Sequence, residues 1–179
     1  MIFFDTHHFN YVMVTSTTYG TWLPGDARGF VSKTDHGLHN AFDTPYDADI
    51  PLLKAHCERN LKEPPVLFDS EQAHLILICW QQAVAGVGWH LFAVAVMPNH
   101  FHAVLASPVG QRKEDYLRTL KARASFLLNK KYGKRTWWTT SGSVRYCFDR
   151  HLLDARIENV RKQANSLVVW YNPEEFTLR

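Results

Sequence analysis

Two apolar runs, Leu91-Phe92-Ala93-Val94-Ala95-Val96 and Phe101-His102-Ala103-Val104-Leu105, are separated only by Met97-Pro98-Asn99-His100. Each run is too short for a typical helix and is bounded by turn residues, which predicts two adjacent strands of one sheet. Successive side chains of a strand point to opposite faces. His100 and His102 therefore emerge together on one face, while Phe101, Ala103 and Leu105 take the other and can reach a core. Two imidazoles on a rigid strand form half of a metal site, one or two oxygen ligands short of complete. The bland alternative is a partly buried histidine with a chance neighbour.

At 179 residues the chain suits a single domain, 1–179, with a core of its own. Residues 11–17 read as a first strand running into Trp22-Leu23-Pro24-Gly25-Asp26, where Pro-Gly-Asp supplies turn chemistry and the aromatics pack the turn down. From about 30 to 65 the periodicity is poor, which predicts an insertion over the surface with one short helix near 52–61. Asp69 offers a cap for a helix that Gly86 and Gly88 would end. Glu114 and Asp115 open a second helix, with Leu117, Leu120, Ala124 and Leu127 or Leu128 as its core stripe. Residues 142–148 alternate as a strand. A last helix is predicted from 152 to about 170, with Asp154 near its start and Pro173 beyond its end. The order is strand, helix, strand, strand, helix, strand, helix. It predicts an α+β fold of the ferredoxin-like, split βαββαβ kind: an antiparallel sheet with two helices on one face, plus a C-terminal helix.

The formal charge of +3 is only mildly basic, so any nucleic-acid surface must come from clustering. Cys57, Cys79 and Cys147 are scattered and form no CxxC pair, which points to reduced thiols and a cytoplasmic setting. Met-Ile-Phe-Phe-Asp at the start is no signal peptide, and no run is long enough to span a bilayer, so no membrane partner is expected.

Met97-Pro98-Asn99-His100-Phe101-His102 resembles the His-hydrophobic-His motif of the small HUH tyrosine transposases, the insertion-sequence 200/605-like class, and of their relatives associated with repetitive extragenic palindromes. The Thr18-to-Gly29 stretch, Thr-Tyr-Gly-Thr-Trp-Leu-Pro-Gly-Asp-Ala-Arg-Gly, resembles one subgroup of these proteins. The likeness covers about 11–170 apart from the insertion. It implies single-strand DNA cleavage and rejoining through a phosphotyrosine, with a divalent metal (Mg or Mn) ligated by both histidines. It also implies a nucleophilic tyrosine on the last helix, followed four residues later by a glutamine ligand. Gln163 matches that glutamine, whereas Asn159 stands where the tyrosine belongs. An amide is no nucleophile for this chemistry, so the resemblance implies binding without cutting. Natural loss of the tyrosine and deliberate substitution both remain open. As substitutes, Tyr146 reads as packed, Tyr116 lies on the basic helix, and Tyr171 would lie roughly 18 Å further along a continuous helix.

Candidate DNA contacts are Arg118, Lys121, Arg123, Lys130 and Lys131 on or beside the second core helix, Trp137 and Trp138 just beyond it, and Arg145 and Arg161 near the site. Lysines and arginines neutralise phosphates, and aromatic rings stack on unpaired bases. That suits single-stranded or hairpin DNA, although a solvated basic face and a buried tryptophan pair are the plain alternatives. Arg156 also falls near the site. Asp35, His36 and His39 form a weak metal candidate; His7, His8, His56, His74, His90 and His151 lack motif spacing. Two other functions stay open: a non-catalytic nucleic-acid-binding module, and a metal-dependent phosphodiester hydrolase using water. The family includes monomers and helix-exchanged dimers, which leaves a homodimer open as well.

Overall fold

The computed structural model describes residues 4–28 and 49–172. Its elements are β1 (Phe9–Thr17), α1 (Pro51–Arg59), α2 (Ser70–Gly86), β2 (His90–Val96), β3 (His100–Pro108), α3 (Lys113–Tyr132), β4 (Ser143–Tyr146), α4 (Arg150–Arg161) and β5 (Val168–Tyr171). The strands form one antiparallel sheet in the order β4-β1-β3-β2-β5. The first four give the arrangement expected of a split βαββαβ chain, and β5 adds a fifth strand at the β2 edge.

Each side of the sheet has its own core. Val12 and Val14 of β1 and Phe101, Ala103 and Leu105 of β3 face α2 and α3, where Ile76, Trp80, Leu120 and Leu128 close over them. Asp69 starts α2 as expected: its side chain accepts from Gln72 N at 2.8 Å, and Gln72 Oε1 accepts from Asp69 N at 3.1 Å. On the opposite face, α4 lays Leu153, Ile157 and Val160 onto Tyr11, Met13, Ala93, Ala95 and Val104. The alanines let this helix sit close. Burying a Leu or Ile side chain contributes about 1.5–3 kcal/mol, so the three-residue stripe is enough to fix α4. A bulge at Leu91/Ala93 lets Phe92 join the same side.

Two expectations are corrected. The last helix stops at Arg161, not near 170: Asn165 turns the chain at φ 57, and 168–171 return as β5. Leu167 N donates to Val96 O at 2.8 Å and Asn172 N to Phe92 O at 2.9 Å, so β5 covers the otherwise bare edge of β2. Tyr171 is therefore on a strand, under the Arg161 guanidinium, with 4.3 Å between that group and the ring centre. The second correction concerns Trp137 and Trp138. They are only 3% and 7% exposed and pack with Phe68, Trp80 and Phe101, so neither presents a face to a base. Of the predicted insertion, 49–65 is described and contains α1; residues 30–48, with Asp35, His36 and His39, lie outside the described residues, as does Pro173.

Candidate functional site

The apolar stripe of α4 covers only part of its sheet face. Towards the open ends of β1 and β4 the same face turns polar: Thr15 pairs with His102 on β3 and with Ser143 on β4, and Thr17 pairs with His100. A cleft of about 660 Å³ opens there. Its floor holds Thr15, Thr17, His100 and His102, and one wall is the 139–143 loop with Arg145. A second wall is α4 with the residues just past its end, contributing Arg156, Asn159 and Gln163; a third is the Trp22-Leu23-Pro24 turn. Residues 156, 159 and 163 recur at helical spacing, so they share the flank of α4 beside its buried stripe. Gln163 lies two residues past the last helical residue, yet its Nε2 still donates to Asn159 O at 3.3 Å and Asn159 Oδ1 at 3.1 Å.

The two imidazoles are set for ligation. Their ring centres are 5.1 Å apart at 83°. His100 Nδ1 donates to Asn99 Oδ1 at 2.7 Å, which leaves Nε2 with its lone pair. His102 Nδ1 lies 2.7 Å from Thr15 Oγ1; with the hydroxyl accepting, its Nε2 is likewise an acceptor. Burial pulls His102 down to about 4, and the neighbouring His100 adds to the effect. Burial also lowers His100, with the positive charge of Arg28 second. Both rings are therefore neutral near pH 7, the form that binds metal. The Gln163 Nε2 protons go to Asn159, so its Oε1 is the atom with lone pairs to offer. Two neutral imidazole nitrogens and an amide oxygen can hold a divalent cation whose remaining positions take oxygen ligands; the donor set does not single out one metal. Among the described residues no cluster of three or more His, Cys, Asp or Glu could hold a metal.

The cleft does not collect all the predicted DNA contacts. Arg145 is in it; Arg161 is not, and pairs with Glu158 at 2.8 Å. Lys121 Nζ donates to Thr139 O and Ser141 O, each at 2.7 Å, so it braces the 139–143 wall, and burial lowers its pKa to about 8. Arg118 pairs with Asp115 at 2.7 Å and Lys131 with Glu71. Arg123 and Lys130 are exposed on α3, away from the cleft lining. Tyr116 is fully buried with its hydroxyl 2.8 Å from Ser107 Oγ, which removes it as a nucleophile.

Trp22, Leu23 and Pro24, read from sequence as a structural turn, line the cleft as well. No local sequence signal marks this role: the turn is set by the buried Asp26 carboxylate, which Arg28 grips at 2.7 and 2.9 Å.

No protein-family model matches the chain, and no curated protein matches it in sequence. Solved structures resemble it in backbone shape, among them two transposase structures. The REP-associated tyrosine transposase bound to a REP hairpin has TM-score 0.43 and 11% identity, over 88% of this chain and 69% of that one. A Deinococcus radiodurans R1 protein, provisionally assigned as a transposase, has TM-score 0.45 and 15% identity, over 89% of this chain and 95% of that one. These are likenesses of backbone shape at low identity; the chemistry of the cleft rests on its own residues. Among the described residues, no helix is long and apolar enough to cross a membrane.

Proposed function

We propose that this chain is a non-cleaving relative of the small HUH tyrosine transposases, which holds unpaired or hairpin DNA at a divalent cation. His100, His102 and Gln163 would be the cation's protein ligands. One observation carries the reading: the α4 flank with Asn159 and Gln163 lines the same cleft as the histidine pair, although about sixty residues separate the two segments in sequence. A bound Mg²⁺ or Mn²⁺ would supply positive charge to polarise and orient a phosphodiester.

The chain's own groups do the rest. Arg145 and Arg156 line the cleft and add guanidinium charge for the phosphate. Thr15 and Asn99 hold the imidazoles in one tautomer. Asn159 lines the cleft and carries an amide, whose nitrogen lone pair is delocalised into its carbonyl. It can orient Gln163 through their hydrogen bond and cannot form a link to phosphorus.

The test uses labelled single-stranded DNA with Mn²⁺, read both by native binding and on a denaturing gel. Binding with no denaturation-resistant adduct is expected, and Asn159→Tyr should generate one. An adduct with the unaltered chain would refute the non-cleaving assignment. DNA binding that ignores both Mn²⁺ and His100→Ala would refute the metal reading and leave a plain binding module.

A further inference from the structure

We propose that Trp22 is the stacking platform for one unpaired base, so that the cleft seats a single unstacked nucleotide with its base on Trp22 and its phosphate towards Arg156. The inference rests on the DNA-binding reading and assigns a nucleotide subsite within it. Trp22 is 37% exposed, forms part of the cleft wall, and has the Arg28 guanidinium 4.8 Å from its ring centre. Trp137 and Trp138, the tryptophans expected from sequence to stack, are buried, so the aromatic function passes to the ring that faces the cleft. Every base has a π-face, and stacking on an exposed indole needs no particular sequence.

The turn that carries Trp22 is built as a rigid mount. Thr18 Oγ1 donates to Val66 O at 2.6 Å, and Thr21 Oγ1 lies 3.2 Å from Asn99 O. Arg28 Nη2 donates to Thr21 O at 2.8 Å while the same guanidinium grips Asp26. Gly25, at φ 86, leaves room where a Cβ would meet Ile50 O at 2.3 Å. Asn99 joins this mount to the metal candidates, because its carbonyl accepts from Thr18 N at 2.9 Å while its side chain accepts from His100 Nδ1. An indole tied to His100 through Asn99 shares one cleft with the Arg145 and Arg156 guanidiniums, which gives the base and the phosphate of one nucleotide a group each to meet. Prior ordering of the mount also spares the entropy of arranging it on binding.

The experiment measures affinity for a short oligo-dT strand as a function of salt, for the unaltered chain, Trp22→Ala and Trp22→Phe. A set of strands, each with one abasic position, is measured against the same three proteins. Trp22→Ala should weaken binding about tenfold without changing the salt slope, and Trp22→Phe should recover most of the loss. At one abasic position the Trp22→Ala penalty should vanish, which a mere folding defect would not produce. If the unaltered chain does not bind the strand, the DNA-binding function itself is overturned. If it binds and Trp22→Ala matches it, or if no abasic position couples to Trp22, the stacking subsite alone is overturned.

Discussion

Acidifying the protein tests the environment of His102 directly. Unfolded, this histidine takes a proton near 6.5; folded, burial holds it off until about 4. Between those values the unfolded chain binds more protons than the folded one, so stability falls as pH falls. The contribution is present in full above pH 6.5 and is lost progressively towards pH 4. At about pH 5, before most carboxylates titrate, the loss from this group alone reaches ~2 kcal/mol. Water entering from the cleft lowers this to ~1–1.5 kcal/mol. For a chain of this size that moves a urea midpoint by roughly half a molar unit. His102→Gln removes the group, so its urea midpoint should be nearly flat over the same window, apart from the smaller contribution of His100. Parallel decline of the unaltered and His102→Gln proteins would refute the claim that folding keeps this ring neutral, and with it the claim that it is ready for metal at pH 7.

Three further outcomes follow from particular contacts. Thr15→Val removes the hydroxyl 2.7 Å from His102 Nδ1 without touching a proposed ligand, and should weaken Mn²⁺ binding ~10–100-fold by titration of free ion; an unchanged affinity would remove Thr15 from the site. Gly25→Ala forces a Cβ to 2.3 Å from Ile50 O at φ 86, and should cost more than about 2 kcal/mol in urea denaturation; a neutral result would show that the turn relaxes easily. Trp137→Ala should cost ~3–5 kcal/mol of stability and leave the salt slope of DNA binding unaltered, whereas a changed slope would return that residue to the interface.

The fold was legible wherever pattern and burial coincide. Residues 91–105 announced the central hairpin because both strands are buried on at least one face. The stripe at Leu120, Ala124 and Leu128 fixed the inner side of α3 for the same reason. The end of α4 was not legible. Leu167, Val168 and Trp170 fit a helical spacing as well as a strand, and what decides between them is the bare edge of β2, a distant partner that no local window contains. Charge misled in a similar way. Lys121 looked like a free cation on a basic helix, yet two carbonyls from 139–141 meet it. The histidine pair was legible because period two on a strand is a local rule. Trp22 was not, since its exposure depends on Asp26, Arg28 and Lys54 closing the turn beneath it.

The position of the cleft follows from how little of the sheet α4 can cover. Its apolar stripe ends at Val160, three residues before Gln163, and the sheet residues opposite it change character along the same line. Met13 and Val104 are buried under the helix, while Thr15 and His102, one pleat further along the same face, are not fully covered. Extending the apolar stripe would close the cleft and gain a few kcal/mol of burial at most. Instead the chain places hydroxyls, two neutral imidazoles and two arginines there; the imidazole Nδ1 atoms and the Thr15 hydroxyl have protein partners, and the Nε2 lone pairs are left for a ligand. On the proposed function, an amide at 159 leaves the cleft able to hold a phosphodiester without forming a covalent link to it. Among the described residues Arg156 Nε is buried without a protein acceptor, as are Arg135 Nε and Trp138 Nε1, which do not line the cleft, so the unpaired atom alone does not mark a ligand site. The proposed function places a phosphate beside Arg156 in the cleft: Arg156→Gln should weaken strand binding and lower its salt slope by about one. An unaltered slope would mean that the guanidinium serves packing alone.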